Sequence, residues 1–201
     1  MEEKIVGAVA NGFGEIYSIY KELADGATTL QINLGKDEDD VVVHTIKKFD
    51  TSGHEDGFNL CKDTITKVHI IDNLQSADYF ENIKIYKDVF AGFPNLTEFI
   101  YEKTGDHEKE VKGSTGDLST LFSSTQPLQK ANLSQMPLQK LPDNFFKGMK
   151  TLKDVQLPLN LEWVGSNSLN GTGITSIAIP EGVYYIGDHA LANNKIDTII
   201  L

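Results

Sequence analysis

The chain contains no arginine: all 18 of its basic residues are lysine, set against 29 acidic residues, for a formal net charge of -11. Without a planar guanidinium fork, bidentate recognition of phosphate or of a guanine edge is closed to it, and its acidic field repels a polyanion. Nucleic acid is therefore not an expected partner. Cysteine is almost as scarce. Cys61 stands alone, so no intramolecular disulfide can form, and no Cys-x-x-Cys or Cys/His cluster marks a zinc site. It reads as a small buried hydrophobe. Long apolar runs are missing too: a stretch such as Ile196 to Leu201 is far too short to cross a bilayer, so no transmembrane segment is expected. The opening "MEEKIVGAVANGFGEIY" lacks the basic and long apolar regions of a signal peptide, which leaves an intracellular protein or an exported one whose leader has been removed.

Catalytic signatures are equally thin. His44, His54, His69, His107 and His189 are scattered without a companion at ligand spacing, and Gly-x-Ser-x-Gly, Walker-type and His-Glu-x-x-His motifs are absent. The acidic runs "KDEDD" (36–40) and "GHEDG" (53–57) lack the alternating oxygen donors and terminal glutamate of a calcium loop, so they read as solvated turns. Asn95, Asn132 and Asn170 head glycosylation sequons by pattern alone. No enzyme, catalytic residue, cofactor or metal is expected.

What the chain does have is a repeat. "LKDVQLPLNLEWVGSNSLNGTG" from Leu152, "ITSIAIPEGVYYIGDHALANNK" from Ile174 and "IDTIIL" from Ile196 align at a spacing of 22 residues without a gap. Pro158 superposes on Pro180, Gly165 on Gly187 and Leu169 on Leu191. Upstream, "IYKDVFAGFPNLTEFIY" (85–101) aligns on "LPDNFFKGMKTLKDVQL" (141–157), and apolar triplets recur at Ile65, Val68 and Ile70 and at Leu128, Ala131 and Leu133. Turns of the repeat thus start near residues 65, 96, 128, 152, 174 and 196. A period in the low twenties predicts a solenoid. In each unit the first, fourth and sixth residues of a short strand point inward, proline ends the strand, and stacking of neighbours buries an edge that a single unit leaves open.

The motif "LxSIxIPxxVxxIGxxAF", matched by "ITSIAIPEGVYYIGDHAL" and more loosely by "LKDVQLPLNLEWVGSNSL", resembles the BspA-type leucine-rich repeat, common in secreted or surface-anchored proteins of gut and oral bacteria and in some protozoa. Phe93 and Met149 replace the frequent cysteine before the next strand, and the last units are shortened to 22 residues. The resemblance implies a leucine-rich-repeat solenoid, a right-handed β-α/β superhelix with a parallel concave sheet. It also implies a secreted or cell-surface protein, and hence the exported reading of the missing leader.

Residues 1–60 do not repeat and read as a helix-containing N-terminal cap on repeats spanning 61–201. "GEIYSIYKELA" (14–24) places Ile16, Ile19, Tyr20 and Leu23 on one helical face. "TTLQINL" (28–34) alternates as a strand, and "DDVVVHTIKKF" (39–49) reads as a second helix with Asp39 or Asp40 as N-cap and Val42, Ile46 and Phe49 inward. An insertion at about 102–127, rich in Gly, Ser, Thr and charge, reads as a surface excursion anchored by Leu121 and Phe122, packed as Phe145 and Phe146 are. The apolar end at Leu201 predicts an array that continues beyond 201, or an end-to-end dimer that covers the edge. The expected binding surface is the concave outward columns: Lys67, His69, Glu98, Ile100, Lys130, Asn132, Asp154, Gln156 and Ser176. The resulting expectation is a non-enzymatic extracellular or cell-surface adhesion module for a host or microbial surface protein or glycan. The alternative is a structural spacer or stalk whose partner domain lies outside this chain.

Overall fold

In a computed structural model of the chain, residues 5–6, 8–10, 15–19, 28–36, 41–46, 62–113 and 118–201 are described, the strands before residue 28 by their backbone alone. Cys61, His54, the acidic runs at 37–40 and 53–57, Asp39, Asp40, Phe49, Tyr20 and Leu23 lie outside the described residues. All regular elements among the described residues are strands. A seven-stranded sheet follows the order β1 (Ile5–Val6), β4 (Thr29–Lys36), β7 (Lys67–Asp72), β9 (Glu98–Lys103), β11 (Lys130–Asn132) and β13 (Asp154–Gln156), with β5 (Val42–Val43) turned back on β4. Behind it a second sheet joins β10 (Val111–Gly113), β8 (Ile83–Ile85), β6 (Thr45–Ile46), β3 (Glu15–Ile19) and β2 (Ala8–Ala10). The later turns continue in a sheet of β12 (Lys140–Leu141), β14 (Trp163–Val164) and β16 (Tyr185–Ile186), and in a pair of β15 (Ser176–Ala178) with β17 (Thr198–Ile200). Pairing between successive rungs is parallel throughout.

The expected inward triplets form the core. Ile65, Val68 and Ile70 are buried, as are Leu128, Ala131 and Leu133, and Leu152, Leu157, Ile174 and Ile177 behave alike. That stacking supplies the burial is visible within single columns: Ile177 is 2% exposed under the following rung, whereas Ile199, one turn on, is 52% exposed. Down the coil runs a phenylalanine spine. Phe122 lies between Phe99, at 5.1 Å between ring centroids, and Phe146, at 5.8 Å, while Phe145 meets Phe146 edge to face at 4.6 Å.

Three expectations change. The helix expected over 14–24 is strand β3 in its described part, and the helix expected over 39–49 supplies strands β5 and β6 instead. In both, β-branched and aromatic residues (Ile16, Tyr17 and Ile19; Val41, Val42, Val43, Thr45 and Ile46) favour the pleated surface, and pairing of β3 with β6 and of β6 with β8 outweighs a spacing that merely suits a helix. The N-terminal strands thus lie on the same two sheets as the repeats. The insertion expected as a surface excursion also enters the fold: Val111, Leu118 and Leu121 are buried and β10 pairs in register with β8. Leu121 and Phe122 are buried as Phe145 and Phe146 are, as expected, and Phe122 also lies against both of those rings.

The turns keep two columns of their own. Asp88, Asn144, Asn167 and His189 all adopt positive φ, between 56° and 61°, at equivalent places in four repeats, the one between Asp88 and Asn144 being the exception. Asn and Asp tolerate this region because their short polar side chains bond the local backbone. Gly165 and Gly187 serve close approach rather than unusual φ: a Cβ on Gly165 would stand 2.6 Å from Asp143 N, and one on Gly187 2.6 Å from Ser166 N.

Two substitutions test this packing. Phe122→Ala should destabilise the fold by about 3–4 kcal/mol, as removal of a buried ring leaves a cavity in the spine. Asn167→Val should cost about 1–2 kcal/mol, because a β-branched residue resists the left-handed region. Urea unfolding followed by circular dichroism checks both, and an Asn167→Val midpoint equal to wild type would contradict the strained-turn account.

Candidate interaction surface

Alternate residues of the seven-stranded sheet point away from the core, and strand register sets them in rows. The first row reads Thr29, Lys67, Glu98, Lys130 and Asp154, each paired with the next across neighbouring strands. The second reads Gln31, His69, Ile100, Asn132 and Gln156. With strands about 4.8 Å apart, the first row alternates positive and negative charge roughly every 5 Å. Such alternation avoids like-charge neighbours on the sheet. Eight of the nine residues expected from the sequence occupy these two rows; Ser176 lies on β15, beyond the break after β13. Lys130, Asp154, Gln156 and Ser176 are exposed, and Lys67, His69, Glu98, Ile100 and Asn132 are half-buried.

Some of these side chains are already engaged. His69 Nε2 lies 2.8 Å from Glu102 Oε2, and Asn132 Oδ1 accepts from the Ser134 hydroxyl and N–H in a turn that closes β11. Glu98, Lys130 and Asp154, by contrast, have no side-chain ion pair or hydrogen bond among the described residues. They are held in register by their strands and left open to solvent or a partner.

Behind the face sits a polar node that sequence reading did not foresee. Asp72, at the end of β7, is fully buried and accepts hydrogen bonds from the Tyr101 hydroxyl (2.6 Å) and the Leu74 N–H (3.2 Å), with His107 Nε2 2.8 Å away. The Lys109 N–H donates to His107 Nδ1, which places the imidazole proton on Nε2, facing Asp72. Phe80 closes the node edge-on against His107, at 5.4 Å. Next to it the chain passes so close that a Cβ on Gly105 would lie 1.8 Å from Leu74 O. An Asp, a His and a Tyr together suggest acid-base chemistry, yet Asp72 and His107 are sealed from solvent, and their bonds tie 101–109 to β7. Ser76 N–H donates to Asp106 at 2.6 Å, which holds that carboxyl below its usual range and fastens the same segment from outside. The partners are 29 and 35 residues from Asp72, beyond any local motif.

A second unforeseen feature lies on the other side. Trp163 stacks on Tyr185 at 3.6 Å between centroids, and Lys140 Nζ stands 4.9 Å from the Trp163 ring, so the three form a column across β12, β14 and β16. The 22-residue register that superposes Val164 on Ile186 also superposes Trp163 on Tyr185, so this column was legible. Both faces of Trp163 are occupied within the chain. No group of three or more His, Cys, Asp or Glu gathers at metal-binding distance among the described residues, and no described helix is long and apolar enough to cross a membrane.

Rungs, columns and a parallel sheet all agree with comparison against known families: residues 116–201 match the BspA type leucine rich repeat region in six copies. That segment, the C-terminal two fifths of the chain, is thus similar to BspA-type leucine-rich repeats. The chain is also similar in structure to a leucine rich cell surface protein from Faecalibacterium prausnitzii A2-165, with a TM-score of 0.53 and 19% identity over 98% of this chain. This chain spans 47% of that protein's length, and at such identity the likeness concerns the fold. A search of curated proteins found no match.

Burial, then the negative charge of Asp72, then the hydrogen bond to it hold the Tyr101 phenol well above its ordinary value of 10.0. The folded state therefore keeps this proton longer than the unfolded chain does, and its share of stability falls as pH climbs past about 10. Tyr101→Phe should cost about 2 kcal/mol at neutral pH, since Asp72 loses a buried donor. The gap between wild type and variant should narrow above pH 10; urea midpoints that stay equally separated from pH 8 to 11 would contradict this.

Proposed function

We propose that the chain is a non-enzymatic interaction module of an extracellular or cell-surface protein, which binds a protein or glycan through the outward face of its seven-stranded sheet. The observation that carries this reading is the set of Glu98, Lys130 and Asp154: charged side chains fixed in one row by parallel pairing and not consumed by partners among the described residues. A rigid backbone removes much of the ordering cost that weakens binding by loops. The amide and imidazole groups of Asn132, Gln156 and His69 add hydrogen-bonding capacity beside the charges, with Ile100 as an apolar patch between them. A surface location is supported by the relative from F. prausnitzii, which is itself a leucine rich cell surface protein. Against catalysis stands the closure of the one Asp, His and Tyr cluster among the described residues, whose polar atoms face each other.

Charge reversal at two points of the row tests the reading. Glu98→Lys and Asp154→Lys, each folded as wild type, should weaken capture of cell-surface proteins or of an arrayed glycan about tenfold, a loss of ~1.4 kcal/mol. Lys195→Glu, on an exposed turn away from the sheet, should leave capture unchanged. Equal capture by wild type and both row variants would favour a structural spacer.

A further inference from the structure

The charged row is self-complementary. Read along the sheet, Lys67, Glu98, Lys130 and Asp154 run positive, negative, positive, negative; read backwards, the signs are inverted at every place. A two-fold axis lying in the interface, parallel to the strands and midway between β9 and β11, therefore sets Glu98 of one copy over Lys130 of the other, and Lys67 over Asp154. Because that axis keeps each residue at its own level along the strand, the second row meets itself as well. His69 then faces Gln156 and Ile100 faces Asn132, which brings no like charges together. An isologous contact of this kind needs only one patch that complements itself.

We infer that the partner of this face is a second copy of the chain, docked sheet to sheet about that axis. The inference rests on the reading of the face as an interaction surface, and names its occupant. Two observations favour this over a row that merely neutralises itself. Glu98, Lys130 and Asp154 oppose one another laterally, yet no ion pair within 4 Å joins them. The neighbouring His69 and Glu102 do close a hydrogen bond at 2.8 Å, so the face permits side-chain pairing across strands where geometry directs it. An interface dominated by exposed charge is weak and salt-sensitive, so the association belongs at low ionic strength.

Sedimentation velocity on the whole chain tests this, with wild type, Glu98→Lys, Lys130→Glu and the double variant Glu98→Lys/Lys130→Glu, each checked for an unchanged urea midpoint. Wild type should dimerise with concentration at low salt and dissociate near 1 M salt. Each single variant places like charges in contact twice and should associate at least about tenfold more weakly. The double variant should recover the dimer, although each of its substitutions then has a like-charged lateral neighbour within the chain, Lys67 in one case and Asp154 in the other. The decisive sample is an equimolar mixture of the two single variants, which should form a heterodimer, because position 98 of each then meets an opposite charge at position 130 of the other. No effect confined to one chain can be complemented in that way. Wild type that stays monomeric up to about 0.1 mM at low salt, where even a weak Kd would register, overturns the inference, as does a mixture that stays monomeric. If those results come with impaired capture by Glu98→Lys, the face binds a different partner and only the dimer is refuted; if capture is also untouched, the reading of the face falls with it.

Discussion

Each rung of this coil is held by the one before it, through backbone hydrogen bonds at the strand entry and apolar contact beneath. Thr66 N–H donates to Thr28 O, Thr97 N–H to Thr66 O, Gln129 N–H to Thr97 O and Lys153 N–H to Gln129 O, one column of donors that steps from rung to rung. A single rung buries little: at the last described turn, Ile186 is 47% exposed, although Val164, its equivalent one turn earlier, is fully buried. Stability is therefore a nearest-neighbour quantity, and every column of the sequence records a demand made by the adjacent rung.

That dependence explains why rungs of unequal length still form one sheet. Where successive turns differ in length, the backbone ladder is assisted by buried polar side chains that reach across rungs. Gln126 Nε2 donates to both Phe90 O and Phe93 O at 2.7 Å while its Oε1 accepts from Ser123 N–H, so one amide closes a turn in the neighbouring rung. In the uniform 22-residue turns the half-buried Asn194 also bridges rungs, donating to Leu169 O and Leu191 O and accepting from Thr172. Asp72 is the largest such fastening, for it gathers Tyr101, His107 and Leu74 at the point where the chain leaves β7. Together they leave almost no buried side-chain donor or acceptor without a partner; among the described residues the Ser168 hydroxyl alone lacks one.

How much of this the sequence disclosed depended on how regular each stretch is. From Leu152 onward the 22-residue columns align without gaps, and inward residues, strand ends and close-packed glycines could all be read directly. Thr29 to Lys67 is a longer step, so the same columns in β4 and β6 were diluted below recognition, and Val42 with Ile46 fell on a spacing that a helix shares. The insertion looked polar because Val111, Leu118, Leu121 and Phe122 are few among many Gly, Ser and Thr, yet those few sit where a rung needs them. The outward residues were legible from alternation, and their order across the sheet from the order of the repeats, but the alternation of charge along that order was not noticed. The register sets Glu98 between Lys67 and Lys130.

The charges of the outward face also follow the irregularity. Lys67, Glu98 and Lys130 lie in the rungs whose lengths vary and Asp154 in the first uniform one, whereas Ser176 and Thr198, their counterparts in the next two turns, are small and neutral. From Ile174 onward the uniform rungs place only small, neutral residues at these positions. The longer rungs satisfy the stacking rule with side-chain fastenings on their loops, and the strands between those fastenings carry a pattern that stacking does not require. An alternating row costs the fold nothing, since lateral neighbours attract rather than repel. A face that had only to remain soluble could carry any mixed set of polar residues. In this row Glu98, Lys130 and Asp154 close no lateral ion pair among the described residues, which is what the proposed partner with the inverse order at the same spacing would need.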